Sequence, residues 1–97
     1  MFVAVTRISN LPPQARDHML AAFRKAAPDL KSFAGFLGFE LWHNDDTLEA
    51  ISRWESREAM EAYAKSGMFA AHHGPETGAP ATHGAAVIES YEGEVVV

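Results

Sequence analysis

The chain opens with MFVAVTRI, an apolar run rich in β-branched and aromatic side chains, which predicts a strand over residues 1–8. Phe2, Ala4, Thr6 and Ile8 fall on one face of it, and Val3, Val5 and Arg7 on the other. Both faces carry apolar residues, so both are expected to be covered. Asn10 to Pro13 breaks the pattern, and paired prolines suit a helix start, where the first N–H groups have no internal acceptor. Ala15, Met19, Phe23, Ala26 and Leu30 then recur at helical spacing and predict one apolar stripe. Pro28 should end or bend this helix near Ala27, because its ring clashes with the preceding turn. A short further turn is expected from Asp29 to Phe33.

The period then changes. From Gly35 to His43, Leu37, Phe39 and Leu41 alternate with Gly38, Glu40 and Trp42, which is strand periodicity. Asn44-Asp45-Asp46 is turn chemistry, since short polar side chains bond their own backbone. TLEAISRWE follows as the return strand of a hairpin. Ser56 is placed as an N-cap, with Glu58 favourable in the first turn of a helix through Ala59, Met60 and Tyr63. Gly67 is the expected break. A short piece from Met68 to His73 and a loop lead to AAVIESYEGEVVV, read as one long closing strand. The order β-α-β-β-α-β predicts an α+β, ferredoxin-like fold: a four-stranded antiparallel sheet with helices on one face. The helix-free face keeps Val3 and Val5, and a second copy could bury it, sheet against sheet.

Length and composition change this picture little. The 97 residues suit a single domain, 1–97, and 47% are hydrophobic against 22% charged, so the chain should fold. Surplus apolar surface in so small a domain points to a homodimer. The net charge is -5 and no Lys/Arg cluster exists, so nucleic acid is not an expected partner. There is no cysteine, hence no disulfide framework and no thiolate chemistry. No apolar run reaches about 18 residues and no leader opens the chain, so no membrane association and a cytoplasmic location are expected.

Candidate chemistry concentrates in GMFAAHHGPETGAPATH, which holds His72, His73 and His83. A histidine pair ending a helix suits the negative end of the helix dipole, and it also offers imidazole to a ligand. His83 could close a nitrogen-ligand site with one of them. Adjacent residues rarely bind one ion together and no carboxylate is spaced to help, so no separate metal site is expected. His18 and His43 read as surface residues. Trp42 and Trp54 read as core or interface, Trp54 as core. Arg7 should point away from Thr6, into a dimer contact. Arg24 and Lys25 stand where they could steer an anion into a cleft beside the first helix, although solvated helix charges are the plainer reading.

The block from Phe33 to His73 resembles the antibiotic biosynthesis monooxygenase family. The resemblance is carried by Gly35-Phe36 opening a strand, Ser52-Arg53-Trp54-Glu55-Ser56 closing the hairpin, Glu58-Ala59 leading to an aromatic at 63, and a Phe-Ala-Ala-His ending. It implies a dimeric α+β barrel with a cavity between sheet and helices. Two activities go with it: heme degradation in the Isd-type branch, and cofactor-free oxygenation of quinol-like or polycyclic aromatic substrates. In the heme branch a histidine ligates the iron, with an asparagine on the first strand and a tryptophan on the second helix. Those two positions are Thr6 and Tyr63 here. The histidine is His72 if it stands nine residues after the aromatic, and His73 if ten. On an unbroken helix these lie about 180° and about 80° from Tyr63, and a break at Gly67 would erase the difference. The Ala-Ala-His phrase favours His72. The resemblance therefore implies Thr6, Tyr63 and His72 as catalytic residues, His72 or His73 as the heme contact, and heme iron as the metal involved. A heme-binding, heme-degrading monooxygenase is the leading reading. A cofactor-free aromatic monooxygenase and a non-enzymatic small-molecule-binding domain are the alternatives.

Overall fold

The computed structural model describes residues 1–66 and 86–97. Strand β1 (Phe2–Ile8) leads to helix α1 (Pro13–Ala26) and a 3-10 helix (Ala27–Ser32). The hairpin β2 (Phe36–His43) and β3 (Leu48–Trp54) follows, then helix α2 (Arg57–Ala64) and β4 (Ala86–Glu92). The sheet order is β2-β3-β1-β4, with every neighbouring pair antiparallel. This is the α+β, ferredoxin-like arrangement expected from the periodicity.

The local signals act as read. Ser56 accepts a hydrogen bond from the Ala59 N–H at 3.2 Å and so caps α2. Asn44 Oδ1 accepts from the Asp46 and Thr47 N–H groups at 3.1 and 2.9 Å, closing the hairpin. Arg16 on α1 donates to the carbonyls of Asn44 and Asp45, tying the first helix to that turn. Gly35 enters β2 at φ 84, and a Cβ there would stand 2.6 Å from Ala59 Cβ, so the site needs glycine twice over.

Three expectations need correction. First, Phe23 and Leu30 of the expected stripe are buried and Ala15 and Met19 pack against the core, but Leu20 is buried as well and Ala26 is only half-buried. The helix changes to a 3-10 helix at Ala27. Second, β2 does not alternate strictly from Leu37. Phe36 pairs with Trp54 and Gly38 with the next residue, Arg53, so Leu37 is the extra residue of a bulge. The bulge places Phe36, Phe39 and Leu41 on the helix-covered face and leaves Leu37 exposed. Third, the last strand stops at Glu92 rather than running to Val97. The ladder with β1 ends at the pair Phe2–Glu92, and the Gly93 N–H donates to the Met1 carbonyl just past it.

The helices cover one face only. Two clusters fill it: Leu11, Leu20, Phe23, Leu48 and Ala50 under α1, and Leu30, Trp54 and Tyr63 under the 3-10 helix and α2. The opposite face presents Val3, Val5, Arg7, Glu49, Ile51 and Arg53, flanked by Glu40 and Trp42 on β2 and by Val87, Glu89 and Tyr91 on β4. Trp42 and Tyr91 are exposed there.

Candidate functional site

Thr6 sits in the middle of β1, opposite Ala50 on β3 and Ile88 on β4. Ala50 belongs to the core under α1, so the Thr6 side chain shares the helix-covered face. It is 5% exposed. Among the described residues, the buried polar side chains are Thr6 and Ser52, both neutral hydroxyls. Ser52 accepts a 2.9 Å hydrogen bond from Trp54 Nε1, which fixes the indole.

Tyr63 occupies the last turns of α2 and is 4% exposed. Its ring stacks on Trp54 with centroids 5.3 Å apart and an interplanar angle of 23°. Phe33 meets it edge-on at 5.3 Å, and Phe36 meets Trp54 edge-on at 5.4 Å. The ring is therefore one member of an aromatic block between the 3-10 helix, α2 and the end of β3. The sequence marked Tyr63 as a residue of the second helix and a candidate site position; its stacking partner Trp54 was legible only as core, because the two are brought together by the hairpin returning under α2. Thr6 and Tyr63 lie on the same side of the sheet. His72 and His73, with His83 and the break at Gly67, lie outside the described residues.

Burial pushes the Tyr63 phenol up to about 12, because removal from water disfavours the phenolate. It is a neutral hydroxyl across the physiological range. The linkage has one sign: the unfolded chain ionises first, at the ordinary phenol value of 10.0, so this contribution to stability is complete below pH 10 and lost between 10 and about 12. We expect stability to fall by roughly 2 kcal/mol more over that window in the native protein than in Tyr63→Phe. Urea titrations of both proteins at either end of the window measure this. The other tyrosine, Tyr91, is also raised, chiefly by its hydrogen bond to Glu89, but it is exposed on the helix-free face.

Arg7 points to that helix-free face as expected, 2.7 Å from Glu49 and 3.7 Å from Glu89. Arg53 stands 3.6 Å from Glu40, and Gly38 leaves room for its guanidinium, since a Cβ there would meet Nη2 at 2.5 Å. Among the described residues the buried Arg53 Nε has no acceptor. His18 and His43 are exposed, as read from sequence. Arg24, but not Lys25, borders a groove beside α1. Among the described residues no group of histidines and carboxylates is arranged to hold a metal ion. No described helix is long and apolar enough to cross a membrane.

Comparison with known proteins agrees with this geometry. The heme-degrading monooxygenase of Listeria welshimeri is 34% identical over 84 residues, covering 74% of this chain and 69% of the relative. The heme-degrader MhuD from Mycobacterium tuberculosis, solved with two hemes bound in its active site, superposes with a TM-score of 0.69 at 26% identity, covering 98% of each chain. SnoaB, a cofactor-independent oxygenase from Streptomyces nogalater, superposes with a TM-score of 0.72 over 99% of this chain and 95% of its own. At 15% identity that last likeness shows the fold alone. The family model for antibiotic biosynthesis monooxygenases matches residues 1–75, and on that match the chain belongs to the antibiotic biosynthesis monooxygenase family.

Proposed function

We propose that this protein is a monooxygenase that binds heme on the helix-covered side of its sheet and acts on it slowly. The observation that carries the reading is the 34% identity to a heme-degrading monooxygenase. The described residues fit a planar aromatic ligand. The covered side is apolar and aromatic, and its buried polar groups are the uncharged hydroxyls of Thr6 and Ser52. The described histidines, His18 and His43, face solvent, and the iron-binding imidazole is assigned to His72, with His73 as the alternative, on the resemblance to the heme branch. When bound, heme supplies the iron at which oxygen is activated and is itself the substrate. Thr6 and Tyr63 would line the other side: Thr6 offers one donor where an amide offers two, and Tyr63 offers a phenol where the heme branch has an indole. Titration with hemin tests the reading; a saturable Soret shift is expected, and none would refute it.

The second reading is cofactor-free oxygenation of a quinol or polycyclic aromatic. It is favoured by Tyr63, a neutral, buried phenol set among Phe33 and Trp54, which suits donation to an oxygenated ring. Oxygen uptake with a quinol in the absence of heme, slowed in Tyr63→Phe, would move this reading to first place.

The assembly completes the proposal. The working form is a cytoplasmic homodimer joined through the helix-free faces, one domain of residues 1–97 per subunit. Trp42 and Val87 are exposed there beside the half-buried Val3 and Ile51, and among the described residues the buried Arg53 Nε has no acceptor. A stable monomer rarely leaves such a patch in water. We expect sedimentation to give a dimer at micromolar concentration and Ile51→Asp to give a monomer. A monomeric native protein would sink the assembly.

A further inference from the structure

A second feature lies on the other flank of α1. Arg24, Ala27, Pro28 and Lys31 follow one another at i, i+3, i+4 and i+7, so α1 and the 3-10 helix present them as one ridge. The ridge faces the edge strand β2, whose Leu37, Phe39 and Leu41 complete a groove of about 500 Å³. That volume lies within the range of small-molecule sites, about 300–1,000 Å³. The bulge at Leu37 shapes the groove by turning Leu37 out of alternation with Phe39.

Among the described residues the lining is apolar except for two cations, and it contains no carboxylate. Arg7, Arg16 and Arg53 each pair with an acidic side chain, whereas among the described residues neither Arg24 nor Lys31 does. The chain carries 13 acidic residues against 8 basic ones, yet none of the described acidic residues lines this groove. A guanidinium and an ammonium over a greasy floor match a ligand with one anionic head and an apolar body. A small hydrated dianion would gain nothing from the floor, and an uncharged apolar molecule would leave the two cations unmatched.

We infer that this groove is a binding site for an amphipathic monocarboxylate, held at its head by Arg24 and Lys31 and along its tail by Leu37, Phe39 and Leu41. The groove lies on the same helix-covered side of the sheet as Thr6 and Tyr63, but at its β2 edge. Strand β3 stands between β1 and β2, and Leu20 and Phe23 close the core beneath α1. The two regions share a wall at Phe39, whose ring lies 6.1 Å from Phe23. The inference does not depend on heme binding.

Octanoate is the probe, followed through the backbone amide signals of the full-length protein. Saturable shifts are expected at Leu37, Gly38 and Lys31. The exposed pair Arg24→Gln and Lys31→Gln should weaken octanoate by about tenfold or more, the loss of a charge-assisted contact, and leave octanol unchanged. Ala27→Phe, which fills the groove, should abolish both. Octanol binding as tightly as octanoate, an unchanged octanoate affinity in the double variant, or shifts centred on Thr6 and Tyr63 would each overturn the proposal. The readout is independent of the Soret band, so failure of the heme reading and failure of this one are told apart.

Discussion

Replacing His72 by alanine is expected to abolish a five-coordinate histidine–heme spectrum, while His73→Ala leaves it largely intact. The expectation follows from the proposed role and from the spacing of His72 nine residues after Tyr63 in the Ala-Ala-His phrase. The opposite pattern transfers the role to His73, and indifference to both changes ends the heme reading. Only neutral imidazole binds iron, so heme affinity should weaken below about pH 6.5, the ordinary histidine pKa. The same site bears on turnover. A phenol at 63 is smaller than an indole and is held against Trp54, so it should crowd a porphyrin less. We therefore expect slow native heme loss, increased by the paired change Thr6→Asn and Tyr63→Trp. Decay of Soret absorbance with an electron donor and catalase present is the measurement. Fast native turnover would show that the two departures matter little.

Trp54→Ala should remove most of the protein's stability. Trp54 is fully buried, stacks on Tyr63, receives the edges of Phe33 and Phe36, and hydrogen-bonds Ser52. Deleting a buried indole costs about 3–5 kcal/mol, against about 5–15 kcal/mol for a whole domain. For a chain of this size that is a fall in Tm of about 15–30 °C, read by circular dichroism. Trp54→Phe keeps the ring stack and loses the Ser52 bond, so it should fall by far less. A Trp54→Ala protein that melts within a few degrees of the native one would mean that the aromatic block repacks around the gap.

These two expectations rest on different kinds of information. Element order, the hairpin turn at Asn44, the Ser56 cap, the outward Arg7 and the buried Trp54 were legible in the sequence. Each depends on near neighbours or on a two- or three-residue period, and such periods survive folding unchanged. The family pattern, carried by Gly35-Phe36 and by the phrase from Ser52 to Ser56, was legible for the same reason. The bulge at Leu37 was not, because the alternation from Leu37 to Leu41 looks regular until β3 supplies the register. Leu20, three residues before Phe23 and so on the same helix face, joined the core beside the expected stripe, because the width of the buried face is set by how α1 packs on the sheet. The stacking of Tyr63 on Trp54, and the pairing of the ridge Arg24–Lys31 with an edge strand, join residues far apart in the chain. Such contacts are decided by which elements approach each other over the sheet, and only the tertiary structure settles that.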